Sequence, residues 1–396
     1  MKLKTKLTAL ASTLAISIAG CGGGGDSTGD TAGIGGSGFI SSGTITGFGS
    51  VYVNGVKFET DSATFDIEGD SSGTTQNDLA IGMVVRVNGT INPDGITGNA
   101  TSIIFDDELQ GPVSGLTNPT PDTAEFTVLG TTVKIDRNLT SFDGTGFSFD
   151  TIANNDNIEI SGFFDSTGVL TASRVELEDD AFVAGVSIVE IKGNLSTVDN
   201  INYTLNGLII SITGDTNIDD FPSGLADGIR VEVKGTFNGT DTITAIKIES
   251  EELNLDDSDE FELEGYITDF NSSADFKING IPVDASSATF EPYVFSLTND
   301  LQVEAEGPII NGVLKAEEIK LRGGDVKIAA YISAVSTDTF TVSPGDGVSA
   351  ITIDRGTETE LKNEITGDES LNVVFNVGDF VQIEGFETGT DSMFAA

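Results

Sequence analysis

Carboxylates are the only reactive groups this chain supplies in quantity. It has 63 Asp and Glu against 19 Lys and Arg, no His and a single Cys. Without His, a Ser-His-Asp triad and His-based zinc sites are excluded. No phosphate-cradling Walker loop is present. Paired carboxylates could serve a glycosidase, but among so many acidic residues some pair always lies close, so the pattern singles out no pair. Three acidic runs do stand apart: Asp106-Asp107-Glu108, Glu178-Asp179-Asp180, and Asp256, Asp257 and Asp259. Calcium takes several carboxylate and carbonyl oxygens, so these runs are candidate calcium ligands, although no EF-hand spacing accompanies them. The alternative is that they only solvate the surface. No other cofactor is expected, and the chain is not expected to be an enzyme.

Other chemistry is excluded by composition. Nucleic acid is bound through basic patches that neutralise phosphates, and a net charge of −44 offers none. There is no Trp and only five Tyr. The 24 Phe sit mainly at inward-reading strand positions, such as Phe58 and Phe126, which makes them core rather than sugar platforms. Gly33-Ile34-Gly35 with Gly38 matches a dinucleotide fingerprint, but it lies in a Gly-rich linker with no strand before it or helix after it.

The one Cys has its own chemistry. Lys2, Lys4 and Lys6 precede an apolar run from Leu7 to Ala19, the pattern of an export signal. Ile18-Ala19-Gly20-Cys21 resembles the bacterial lipobox, which implies cleavage before Cys21 and lipidation of its thiol. Gly22 at the next position, by resemblance to Gram-negative lipoproteins, favours sorting to the outer membrane. The expected localisation is therefore the cell envelope, with the membrane as partner through Cys21 and an envelope polymer or protein as a further one. Residues 1–20 read as signal and 21–40 as a flexible polar tether.

The rest of the chain must fold the carboxylates into place, and it does so by repetition. A Gly (once Ala), any residue, an aliphatic residue and Thr or Ser recurs at Gly43, Gly111, Gly193, Gly265 and Ala330, about 70 residues apart. A hairpin follows, turned by Asn54-Gly55, Asn206-Gly207 and Asn279-Gly280; Asn-Gly suits the positive φ values of a two-residue type I′ turn. Leu129-Gly130 is a weaker copy and Pro344-Gly345-Asp346-Gly347 a longer one. Next comes an alternating strand ending in Gly89, Gly162, Gly235, Gly307 or Gly385. In unit 3 this puts Ile229, Val231 and Val233 on one face and Arg230, Glu232 and Lys234 on the other. Ala-x-x-Ile/Val closes the unit at Ala100, Ala172, Ala245 and Ala316.

Each unit reads as five strands: one, a hairpin pair, a polar loop, then two more. The expected fold is all-β, a tandem array of small five-stranded OB-like open barrels; immunoglobulin-like sandwiches are the alternative. The units run 41–108, 109–181, 186–251, 260–323 and 325–396. The fifth reaches Gly385 with no Ala-x-x-Ile after it, so it is expected to lack its last strand and to leave an exposed edge. Pro112 has no N–H and is expected at an edge or bulge.

Taken together, these landmarks resemble the bacterial domain-of-unknown-function 5666 family over nearly all of residues 41–396. The resemblance implies exported or lipid-anchored proteins carrying tandem copies, and no catalytic residues. The functional expectation is a non-enzymatic, lipid-anchored spacer of structural or adhesive role, the alternative being a ligand-binding module.

Overall fold

The computed structural model describes residues 39–69, 71–179, 181–197, 202–218, 221, 224–251, 258–292, 296–322, 326–337, 339–343, 349–355, 374–389 and 392–395. In unit 1 the five main strands are Phe39–Phe48, Val51–Val53, Val56–Glu59, Val84–Ile91 and Thr97–Phe105. The first pairs antiparallel with the second and the second with the third. The third runs parallel to the fifth, and the fourth lies antiparallel between the fifth and the first. That ring, first-second-third-fifth-fourth, is the OB arrangement and not a sandwich.

The ring recurs. Third and fifth strands are parallel in unit 2 (Thr131–Asp136, Leu170–Asp179) and unit 3 (Leu208–Ser211, Thr242–Ser250). The same holds in unit 4 (Ile281–Asp284, Val313–Lys315) and unit 5 (Ile351–Arg355, Ser392–Ala395). The expected loss of the last strand from unit 5 is therefore wrong. Ser392–Ala395 also pairs antiparallel with Phe380–Gly389 and closes the barrel, and the expected C-terminal edge goes with it. Met393 and Ala395 fill the two inward positions there, so a different motif meets the same requirement of alternate buried side chains.

The landmarks acquire physical reasons. Asn54, Leu129, Asn206 and Asn279 have φ of 51°, 49°, 49° and 48°, and the Gly after each is also positive, so all four turns are type I′. The Asn side chain does more than permit the turn. Asn54 folds back over the first strand and donates from Nδ2 to Ser41 Oγ (3.0 Å) and the Ser42 carbonyl (3.2 Å). Asn279 donates to the Glu264 carbonyl at 2.7 Å. A Cβ on Gly43 would lie 2.1 Å from Asn54 Oδ1, and one on Gly265 2.5 Å from Asn279 Oδ1. The first landmark is Gly because the turn Asn occupies its side-chain space. Asn54→Ala is expected to cost about 1–3 kcal/mol through lost buried hydrogen bonds and the αL backbone. Gly43→Ala should cost clearly less on that background than alone, a coupling that a double-mutant cycle in denaturation measures.

The polar loop holds a strand that sequence reading missed. Thr64–Ile67 and Ser141–Asp143 run parallel to the closing strand of their unit, and Thr289–Glu291 runs parallel to Glu318–Leu321, which follows Val313–Lys315 in unit 4. Its signal was present in the sequence as Phe65, Phe142 and Phe290, each preceded by Thr or Ser. Pro112 faces Asn157 on one side, while on the other the pairing to unit 3 ends at Gln110 and the hairpin begins at Val113. It thus sits where only one side needs a ladder partner.

The barrels are joined by their sheets. The start of unit 1 pairs parallel with the first strand of unit 4, Phe39–Ser42 against Glu260–Leu263. The first strands of units 2 and 3 pair antiparallel, Leu109 with Ile191 and Gln110 with Glu190. Units 2 and 3 also share one apolar core, whereas units 1, 4 and 5 each have their own. Phe39 is already in the first strand, so the fold begins inside the stretch read as tether, and Asp259 likewise falls in the first strand of unit 4.

Candidate functional site

Of the candidate residues, Cys21, Asp180, Asp256 and Asp257 lie outside the described residues. Asp259 lies in the first strand of unit 4, and the other acidic candidates, Asp106, Asp107, Glu108, Glu178 and Asp179, lie where units 1, 2 and 3 meet. Asp106, Asp107 and Glu108 bridge the last strand of unit 1 and the first of unit 2. Glu178 and Asp179 end the last strand of unit 2, where Asp179 accepts from Ser187 Oγ at 3.3 Å.

Residues that the acidic runs do not include complete the cluster. Glu232 and Glu190 are buried, as are Glu159, Asp107 and Lys192. Alternation placed Glu232 and Lys234 on the outer face of their strand, and so they are, but that face packs against another barrel. Lys234 Nζ lies 2.7 Å from Glu190 Oε2 and 3.4 Å from Glu68 Oε2 of unit 1. Lys192 Nζ lies 3.6 Å from Glu232 Oε2 and 3.9 Å from Glu251 Oε2.

Two lysines cannot neutralise so many acids, and protons make up the difference. Burial, then the neighbouring Glu190 and Glu159, pushes Asp107 well above the usual carboxylate range. Burial and Glu68 raise Glu159 to about 9; burial and Glu190 raise Glu232 to about 9. Burial would raise Glu190 too, but hydrogen bonding to Asp107 and the Lys234 charge hold it below its ordinary value. Asp107 and Glu232 are thus raised beside a lowered Glu190, and Glu159 beside Glu68, the pattern expected when like charges crowd a dry site.

A second buried set lies at the joint of units 1 and 4. Ser41 Oγ donates to Glu262 Oε2 at 2.9 Å, and the Thr44 N–H donates to Glu264 Oε2 at 2.8 Å. Glu304 is bonded to Arg322 and lies 3.3 Å from Lys320 Nζ. Among the described residues, only Glu262, Glu304 and Glu306 place three carboxylate oxygens within 4.8 Å of one another. Lys320 and Arg322 already stand in that group, so a cation would enter against two resident positive charges. The acidic runs at the joints are not in it.

Between units 1, 2, 3 and 4 opens a cleft of about 870 Å³. The hairpin turns of three units reach it at Gly130, Asn206 and Asn279. Its charged lining is mixed, with Arg86, Arg230 and Lys192 beside Asp106, Glu108 and Glu251. A cleft of this size with convergent polar groups can hold a small polar molecule or a segment of a polymer.

A family model described as a domain of unknown function, DUF5666, matches five successive stretches, residues 37–103, 110–176, 189–249, 264–320 and 330–396. No curated protein is matched. Among solved structures, the chain is similar to one titled drosophila Unr CSD456, at 13% identity over 55% of this chain and 98% of that one. The TM-score is 0.17, a superposition too poor to carry anything from that protein to this chain.

Proposed function

The chain belongs to the DUF5666 family of domains of unknown function, and from that premise we propose that it is a non-enzymatic, lipid-anchored protein of the cell envelope, whose barrels form a structural or adhesive block. What carries this reading is the joining of barrels 1 with 4 and 2 with 3 through their first strands, which favours a rigid block over a flexible string. The basic start, the apolar run and Cys21 supply the anchor. Gly22 favours the outer membrane as its location. By composition, the Gly-rich stretch that follows Cys21 is a linker between the anchor and the barrels.

The test is Cys21→Ser followed by fractionation of cells expressing the full chain. The expected result is a move from the membrane to the soluble fraction; unchanged membrane retention overturns the anchor. The second reading, a ligand-binding module, is favoured by the four-barrel cleft. A screen of envelope glycans against the protein supports it only if binding is lost on Arg86→Ala, whose guanidinium lines that cleft.

A further inference from the structure

The first strand of each barrel is long, and its opening half pairs within the barrel only with the fourth strand. The other edge of that half can therefore pair outward. Units 1 and 4 use it on each other in parallel, and units 2 and 3 in antiparallel. Unit 5 has the same strand, Val326–Val335: from Val326 to Ala330 it pairs on one side only, with Phe380–Gly389, and from Tyr331 on its other edge is taken by the hairpin strand Thr339–Ser343. Among the described strands, no other barrel pairs with it.

Residue types on that strand change accordingly. Just before the landmark Gly, the joined barrels carry Ser42, Gln110, Lys192 and Glu264; unit 5 carries an exposed Ala329. Just after it stands Tyr331, 60% exposed, whose ring meets Phe380, 57% exposed, edge to face at 5.1 Å. Val335 on the same strand is 43% exposed. Exposed aromatics clustered on one strand pair mark an interaction surface, not ordinary surface scatter. From Ile328 to Val335 there is no charged side chain, in a chain of net charge −44.

We propose that the first strand of unit 5 docks through its free edge, Val326–Ala330, against the same strand of a second copy of this chain, with the exposed Tyr331–Phe380 pair packing beside that edge. The occupant follows from the molecule itself. This barrel joins its own kind through this strand twice, and the antiparallel joint of units 2 and 3 is a local two-fold, the geometry that closes a homodimer. Two strongly acidic copies approach most easily through a strip without carboxylates, and Val326–Val335 carries none.

Sedimentation equilibrium of the chain carrying Cys21→Ser tests it. The expected result is a monomer–dimer equilibrium that tightens as salt rises to about 0.5 M, because screening relieves repulsion between the copies. Tyr331→Glu with Phe380→Glu should weaken it at least about tenfold, or 1.4 kcal/mol, with the thermal melt by circular dichroism unchanged because both side chains are exposed. Ala329→Cys should give a dimer linked by a short bismaleimide in the parent but not in the double variant. A chain monomeric at about 100 µM in 0.5 M salt overturns the proposal, as does a dimer indifferent to the double substitution.

Discussion

Gly162→Ala is expected to destabilise the block formed by units 2 and 3 by about 3–5 kcal/mol, a large effect for one methyl group. A Cβ there would lie 2.1 Å from the Thr171 carbonyl oxygen and 2.9 Å from the Ala172 Cα. Those atoms are backbone of the adjoining strand and cannot move aside without breaking the ladder. The register shifts between Ser161 and Gly162, so this Gly is a bulge at which the fourth strand bends around the barrel. Gly89 and Gly235 stand at the same shift, with carbonyl oxygens 2.3 Å from the site of a Cβ. Gly168→Ala is the control: its φ is +80° but nothing lies within 4 Å, so it should cost only about 1 kcal/mol. Denaturation melts and hydrogen exchange in strands Asn157–Phe164 and Leu170–Asp179 report both. Equal losses at the two sites would sink the close-approach account.

Stability should rise as pH falls from 8 to 5, the reverse of ordinary acid denaturation. Glu159 and Glu232 are raised to about 9 in the fold, and burial also raises Asp107 and Glu262. In the unfolded chain these groups ionise near the usual carboxylate value. Between that value and about 9 the folded state therefore binds more protons, and raising the pH costs up to about 1.4 kcal/mol per unit per group. Other shifted groups do not confuse the window. Lys192 and Lys234 are raised, so their contributions are complete below the ordinary lysine value and constant here. Glu190 and Glu304 are lowered, so theirs disappear only in more acidic solution. Glu159→Gln should stabilise the protein by about 2–3 kcal/mol at pH 8 and by almost nothing at pH 5. Urea denaturation across that range reads it directly. A wild-type stability that is flat or rises with pH would exclude protonated acids at the joint.

Local geometry was legible in the sequence because it is written in short spacings. The Gly of the fourth strand and the Ala of the fifth are cross-strand neighbours at the bulge, Gly89 with Ala100 and Gly235 with Ala245. The landmark Gly and the turn Asn are likewise in contact. In unit 2, where Leu129 stands for the turn Asn, the landmark Gly111 is kept because a Cβ there would meet the Leu129 and Val128 side chains at 3.0 Å. The joint was not legible. Glu232 and Lys234 read as one face of an alternating strand, and period two cannot say whether that face meets water or another barrel. Met393 and Ala395 do not match the Ala-x-x-Ile landmark because the barrel requires only alternate inward side chains, whatever the residue types.

The parallel joint between units 1 and 4 has a consequence for how the chain reaches its native state. Ser41 and Glu262 are 221 residues apart in sequence. A polypeptide delivered from its N-terminus presents the strand Phe39–Phe48 long before the partner at Glu260–Leu263 emerges. During that interval an uncharged strand edge, Phe39 to Ser42, waits without its neighbour, and such edges recruit wrong partners. Loop closure over that distance is also slow compared with the local hairpins. Strand Phe39–Phe48 is held meanwhile by its own barrel, through Val84–Ile91 and Val51–Val53, and only its outer edge must wait for unit 4.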